Sequence, residues 1–133
     1  MAVDGLITVQ SAHDPATTME RLQAEVRSKG LTVFAHIDHA AGAAAAGLSL
    51  RPTDLLIFGN ARGGTPLMGS APTLGIDLPL RALVWQSADG ATFVSVTDLR
   101  WLARRHGVAP SLNASVDGLA AALEGIAGRA AAP

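Results

Sequence analysis

Hydrophobic positions along the chain recur every second residue, every three to four residues, or in short unbroken runs. Together they predict about five strands and three main helices. Leu6 to Gln10 (LITVQ) is apolar and β-branched between Gly5 and Ser11, which predicts a first strand. His13-Asp14-Pro15 then opens a helix. Asp14 is placed to cap the free amides of its first turn, and Pro15 sits where a missing N–H costs nothing. Met19, Leu22 and Val26 follow at i, i+3 and i+7 as one buried stripe, and Gly30 ends the helix. Leu31 to Ile37 alternates with period two. Leu31, Val33, Ala35 and Ile37 are expected on one face, and Thr32, Phe34, His36 and Asp38 on the other. Asp38 is then placed to cap a short helix, His39 to Gly47, whose alanines leave a bare backbone able to pack closely.

In the second half, Asp54 to Phe58 is a short apolar run expected as a central strand buried on both faces. Gly59 to Gly69, with glycines at 59, 63, 64 and 69, is expected as a loop that opens a short helix near Thr65. Another turn falls at Pro72 to Gly75. Arg81 to Gln86 and Ala91 to Thr97 are predicted strands, joined through the Asp89-Gly90 hairpin signal. Thr97-Asp98 caps a helix from Leu99 to Arg105 that ends at Gly107 and turns Trp101 and Leu102 inward. Ser115 is expected to cap a last helix with the stripe Leu119, Ala122, Leu123 and Ile126, and Ala130 to Pro133 are expected to fray. Phe34, Phe58, Phe93 and both tryptophans are expected in the core. A hairpin without repeated β-α-β alternation argues for an α+β fold over a doubly wound one. No linker or repeat divides residues 1–133, so one domain is expected.

Composition narrows the partners. Charged residues make up 16% of the chain, below the usual value of about 25%, and this favours a homo-oligomer. A short sheet with exposed edges points the same way, to a homodimer. A net charge of −1 gives no basic field for phosphates, so no nucleic-acid partner is expected. The absence of cysteine removes disulfides, thiolate catalysis and Cys-ligated zinc. The first ten residues lack a basic n-region, and no apolar run approaches the 18 or so residues of a membrane span. A cytoplasmic protein without a membrane partner is the default expectation.

Candidate chemistry concentrates between Val33 and Thr65. His36-x-Asp38-His39 holds types that ligate zinc or iron, but a strand points His39 away from Asp38. The reading taken is a helix cap with two ordinary histidines, and no metal or cofactor is expected. Gly59 to Thr65 could cradle an anion with Arg62 adding charge, yet it lacks the GK[ST] and GxGxxG endings of phosphate loops. Asp98 and His106 read as a cap and a helix-end imidazole rather than an acid–base pair. No catalytic set is read, since no serine lies in a nucleophile elbow. The two strand ends, Asp38 and Asn60, are expected to converge, giving a ligand pocket of Asp38, His39, Asn60, Arg62 and Thr65.

Several short motifs occur in a distinctive order: Ile37-Asp38-His39, Leu50-Arg51-Pro52, Phe58-Gly59-Asn60, Gly64-Thr65-Pro66-Leu67-Met68, Leu78-Pro79-Leu80 and Leu102-Ala103-Arg104-Arg105-His106. Over Thr18 to Gly107 this order resembles the DUF302 family, and the last amphipathic helix fits its place there. The resemblance implies a TBP-like α+β fold, a single-layer antiparallel sheet of about five strands with helices mainly on one face. Ala61 stands where the family commonly has proline, and Val96-Thr97-Asp98-Leu99 replaces a more typical Tyr-Asn-Asp-Pro. The resemblance carries no assigned activity. The expected function is small-molecule binding or a homo-oligomeric binding module. The alternatives are an enzyme or metal-dependent protein using Asp38 and His39, and a purely structural interaction module.

Overall fold

The computed structural model describes residues 2–133. Strands β1 (Leu6–Gln10), β2 (Thr32–Asp38), β3 (Thr53–Gly59), β4 (Leu80–Gln86) and β5 (Thr92–Thr97) form one sheet in the order β1-β5-β4-β3-β2. Every neighbouring pair is antiparallel. The Asp89-Gly90 hairpin closes as its residue types dictate: Ser87 N–H donates to Ala91 O at 2.9 Å and Gly90 adopts φ +91. Helix α1 (Pro15–Ser28) starts where expected, with the Asp14 carboxylate accepting from Thr17 N–H at 2.7 Å. Helix α4 (Leu99–His106) is capped by Asp98 and ended by Gly107 at φ +73.

One face of the sheet carries the core. Leu56, Phe58, Ala82, Val84, Val94 and Val96 point into it and are buried. They meet Met19, Leu22 and Val26 of α1 and Val116, Leu123 and Ile126 of α5 (Asn113–Ala131). The other face has no such cover. Leu55 and Ile57 of β3 are therefore only half-buried, where burial on both sides was expected.

A bulge in β2 rearranges its faces. Val33 pairs with Phe58, but Ala35 pairs with Ile57, so Phe34 is an extra residue in the ladder. Beyond it every side chain changes side. Val33 stays with the core, His36 joins Leu56 on the helix side, and Ala35 and Ile37 turn to the open face. The expected grouping of Val33 with Ala35 and Ile37 is corrected accordingly. Phe34 leaves the core and is 57% exposed, while Trp85 and Phe93 stack at 4.8 Å on the open face.

Four further expectations are corrected. The glycine-rich stretch is helical from its start as α3 (Ala61–Ser70). Glycine is a weak helix former, but a Cβ on Gly63 would lie 3.0 Å from Leu119 Cδ2 and one on Gly64 3.3 Å from Leu78 Cδ1. Tertiary packing therefore favours small residues here. Helix α2 (His39–Ala45) has no buried residue, because it joins adjacent antiparallel strands and spans the sheet's end instead of lying beneath it. Helix α5 begins at Asn113 after a 3-10 turn, without a side-chain cap, so Ser115 is not its cap. It also runs to Ala131 with Ala130 and Ala131 buried. Arg21 of α1 holds that end by donating to the carbonyls of Arg129, Ala130 and Ala132 at 2.9–3.1 Å. Among the described residues, no helix is long and apolar enough to cross a membrane.

Candidate functional site

The antiparallel register brings the start of β2, the end of β3 and the start of β4 together: Thr32 pairs with Gly59, and Phe58 with Leu80. Helix α3 leaves from that corner. Between these pieces lies a cavity of about 340 Å³, lined by Leu31, Phe34, Gly59, Asn60, Ala61, Gly63, Gly64, Met68, Leu78, Pro79, Leu80 and Leu119. The glycines of α3 leave the space open, since any larger side chain at position 64 would project toward Leu78 and Met68. Among the described residues, no charged side chain lines the cavity. Asn60 is its polar member, and its Oδ1 already accepts from Gly63 N–H at 2.9 Å.

Only part of the expected site gathers here. Asn60 is in the cavity wall, whereas Arg62 and Thr65 belong to α3 but do not line it. Asp38 and His39 sit at the other end of β2, six residues from Thr32, or roughly 20 Å along the strand. Strands that are antiparallel neighbours set the end of one beside the start of the next, so Asp38 faces Asp54 and not Asn60. Asp38 Oδ1 accepts from Ala41 N–H at 2.8 Å as the cap of α2. His36 Nε2 meets Asp54 Oδ1 at 2.8 Å, and its Nδ1 lies 3.4 Å from the Gln23 amide nitrogen. Among the described residues, no three His, Cys, Asp or Glu side chains gather in a metal-holding group.

His106 has a role its sequence position did not suggest. With the proton on Nε2, it donates to Asp77 Oδ2 at 2.5 Å, and Nδ1 accepts from the Thr73 hydroxyl at 2.8 Å. Arg105 Nη1 donates to the same Asp77 oxygen at 2.7 Å. Asp77 immediately precedes Leu78, so these bonds from α4 hold the chain that forms the cavity wall. Hydrogen bonding to Thr17 lowers the Asp14 pKa, hydrogen bonding to Ser87 lowers that of Asp89, and the Asp117 carboxylate raises that of Arg100.

The family model described as "Domain of unknown function DUF302" matches residues 7–126. The chain belongs to the DUF302 family. The match extends beyond the Thr18 to Gly107 stretch that carried the resemblance, and takes in β1 and most of α5. A crystal structure titled as an uncharacterized conserved protein DUF302 from Bacillus stearothermophilus superposes with a TM-score of 0.84. It covers 96% of this chain and 99% of that one at 19% identity, so the likeness is one of DUF302 fold. Curated relatives from Brucella suis and Brucella abortus, each named fluoride-specific ion channel FluC 1, are 47% identical over 112 residues. The alignment takes 84% of this chain but only 44% and 42% of those relatives, so this DUF302 chain spans less than half of their length.

Leu31, Phe34, Leu78, Pro79, Leu80 and Leu119 line the cavity without any signal in the sequence that marks them as site residues. Each looks like ordinary core apolar sequence, and only the strand register and the packing of α3 and α5 bring them to one corner. Of the adjacent pair Leu67-Met68, Leu67 lies fully in the core and Met68 at the cavity.

Proposed function

We propose that this DUF302 domain binds a small, largely apolar molecule in the cavity at the start of α3. The observation that carries the reading is the cavity itself. About 340 Å³ lies within the range of roughly 300–1,000 Å³ typical of small-molecule sites, and its wall is aliphatic and aromatic with one amide for orientation. Burial of aliphatic ligand surface supplies the affinity, at roughly 25 cal/mol per Å². Asn60 is the member of the expected site retained in this reading.

A fragment library screened by thermal shift and ligand-observed NMR tests it, on wild type and Gly64→Val. The Gly64 backbone is not in the left-handed region, so valine keeps the backbone conformation. Its side chain enters the cavity and moves the Leu78 side chain, 3.3 Å from the Cβ, by a few tenths of an ångström. An unchanged far-UV circular dichroism spectrum checks that the variant folds. Hits are expected to be apolar and to lose at least about tenfold in affinity in Gly64→Val, roughly 1.4 kcal/mol. Hits that bind both proteins equally would place the ligand elsewhere.

A second reading comes from the relatives named as fluoride-specific channels, since this chain corresponds to less than half of each. In it the domain is a companion module carried beside a channel portion. The cavity does not favour fluoride itself as the ligand. Stripping water from a small anion against Leu31, Leu80 and Leu119 has no compensating charge. Sodium fluoride is therefore expected to move the melting temperature no more than sodium chloride at equal ionic strength. A fluoride-specific stabilisation would replace the apolar-ligand reading.

A further inference from the structure

The sheet face opposite the core carries a continuous row across all five strands. Ile37 pairs with Leu55, Leu55 with Leu83, Leu83 with Ser95, and Ser95 with Thr8. Beside it lies the Trp85–Phe93 stack. The polar atoms in the row satisfy one another: Trp85 Nε1–H donates to Ser95 Oγ at 2.9 Å, and the Thr8 and Ser95 hydroxyls bond at 2.8 Å. Ser95 is 5% exposed although no helix covers it. That cluster can lose its water without stranding a donor. Among the strand residues that the pairing puts on this face, Arg81 is the only charged one.

We propose that a second copy of this chain packs face to face on this surface, as a two-fold dimer centred on Leu83. Five strands spaced about 4.8 Å apart and about 20 Å long give a flat footprint of roughly 500 Å². Side-chain relief brings this toward the roughly 800 Å² per partner of a standard interface. The row is apolar at its middle and self-complementary, as an isologous contact requires. β4 is the central strand, so a two-fold axis lying across the strands at Leu83 sets Arg81 of one copy over Trp85 of the other. An axis along β4 would instead oppose the two Arg81 side chains. Pairing through the β2 edge is less suited, because the Phe34 bulge interrupts that ladder. The cavity lies on the helix side, so this dimer leaves it open and does not depend on the ligand reading.

Sedimentation velocity on the full chain from about 1 to about 100 µM tests the arrangement. Wild type is expected to dimerise within that range. Leu83→Glu, with its far-UV circular dichroism unchanged, is expected to raise the dissociation constant about a hundredfold, because it buries an unpaired carboxylate at the centre. Leu83 is half-buried within the fold, so Ile37→Lys serves as a second variant at a 40% exposed position. It is expected to weaken the dimer at least about tenfold, and it decides the matter should Leu83→Glu not fold. A wild type that stays monomeric at about 100 µM would assign the face to a different protein, or to another part of a longer chain, and would overturn the proposal. A dimer that survives a folded Leu83→Glu and Ile37→Lys would overturn it equally.

Discussion

Phe58→Ala is expected to lower stability by about 3–5 kcal/mol, a large share of the roughly 5–15 kcal/mol that holds a domain together. Phe58 is the largest fully buried side chain, and it stands on β3 between Leu80 of β4 and Val33 of β2. Removing its ring deletes the transfer free energy of the lost atoms and leaves a void. Two neighbouring strands and the helix layer bound that void, and the sheet ladder stops them from collapsing into it. At about 3–4 °C per kcal/mol for a chain of this size, the melting temperature should fall by roughly 10–20 °C. Urea unfolding followed by circular dichroism measures the change. A loss below about 1.5 kcal/mol would mean that this part of the core repacks freely, contrary to the arrangement described.

Gly5→Ala is expected to cost about 2–4 kcal/mol, for two reasons that can be separated. Gly5 has φ +81, where an L side chain is strained by about 1 kcal/mol. A Cβ there would also sit 2.8 and 2.9 Å from two atoms of the Trp101 indole, which must then shift against its neighbours. The backbone cannot easily back away from the indole, since Asp98 N–H donates to Gly5 O at 2.8 Å and Asp98 caps the helix carrying Trp101. Gly30 supplies the control. It has φ +72 but nothing within 4 Å of its would-be Cβ, so Gly30→Ala is expected to cost only about 1 kcal/mol. Equal losses in the two variants would show that the indole yields without penalty and that backbone strain is the whole effect.

Of the candidate site, one residue was legible in the sequence. Asn60 was readable because a polar residue after an apolar strand and before glycines has a recognisable place, and it does stand at the cavity. Asp38 was read correctly as a cap, yet its union with Asn60 assumed that two successive strands end side by side. In an antiparallel pair they end at opposite edges. The Asp77–His106 bond spans 29 positions and carries no periodicity that sequence could show.

What the sequence by itself determined is local. Asp14 and Asp98 cap because a short carboxylate before a helical stripe reaches the free amides wherever it occurs. Gly30 and Gly107 end helices because only glycine enters φ near +70 without strain. Asp89-Gly90 turns the chain for the same reason, and the α1 stripe follows from 3.6 residues per turn. The order of short motifs was enough to point to DUF302. Only the tertiary structure decided the strand order, the extra residue at Phe34, the helix at Ala61–Ser70 and the cavity. Each depends on contacts between residues distant in sequence. A period of two reads the same with or without a bulge, until a partner strand fixes which side is in. Glycines read as a loop, until Leu119 and Leu78 press against them.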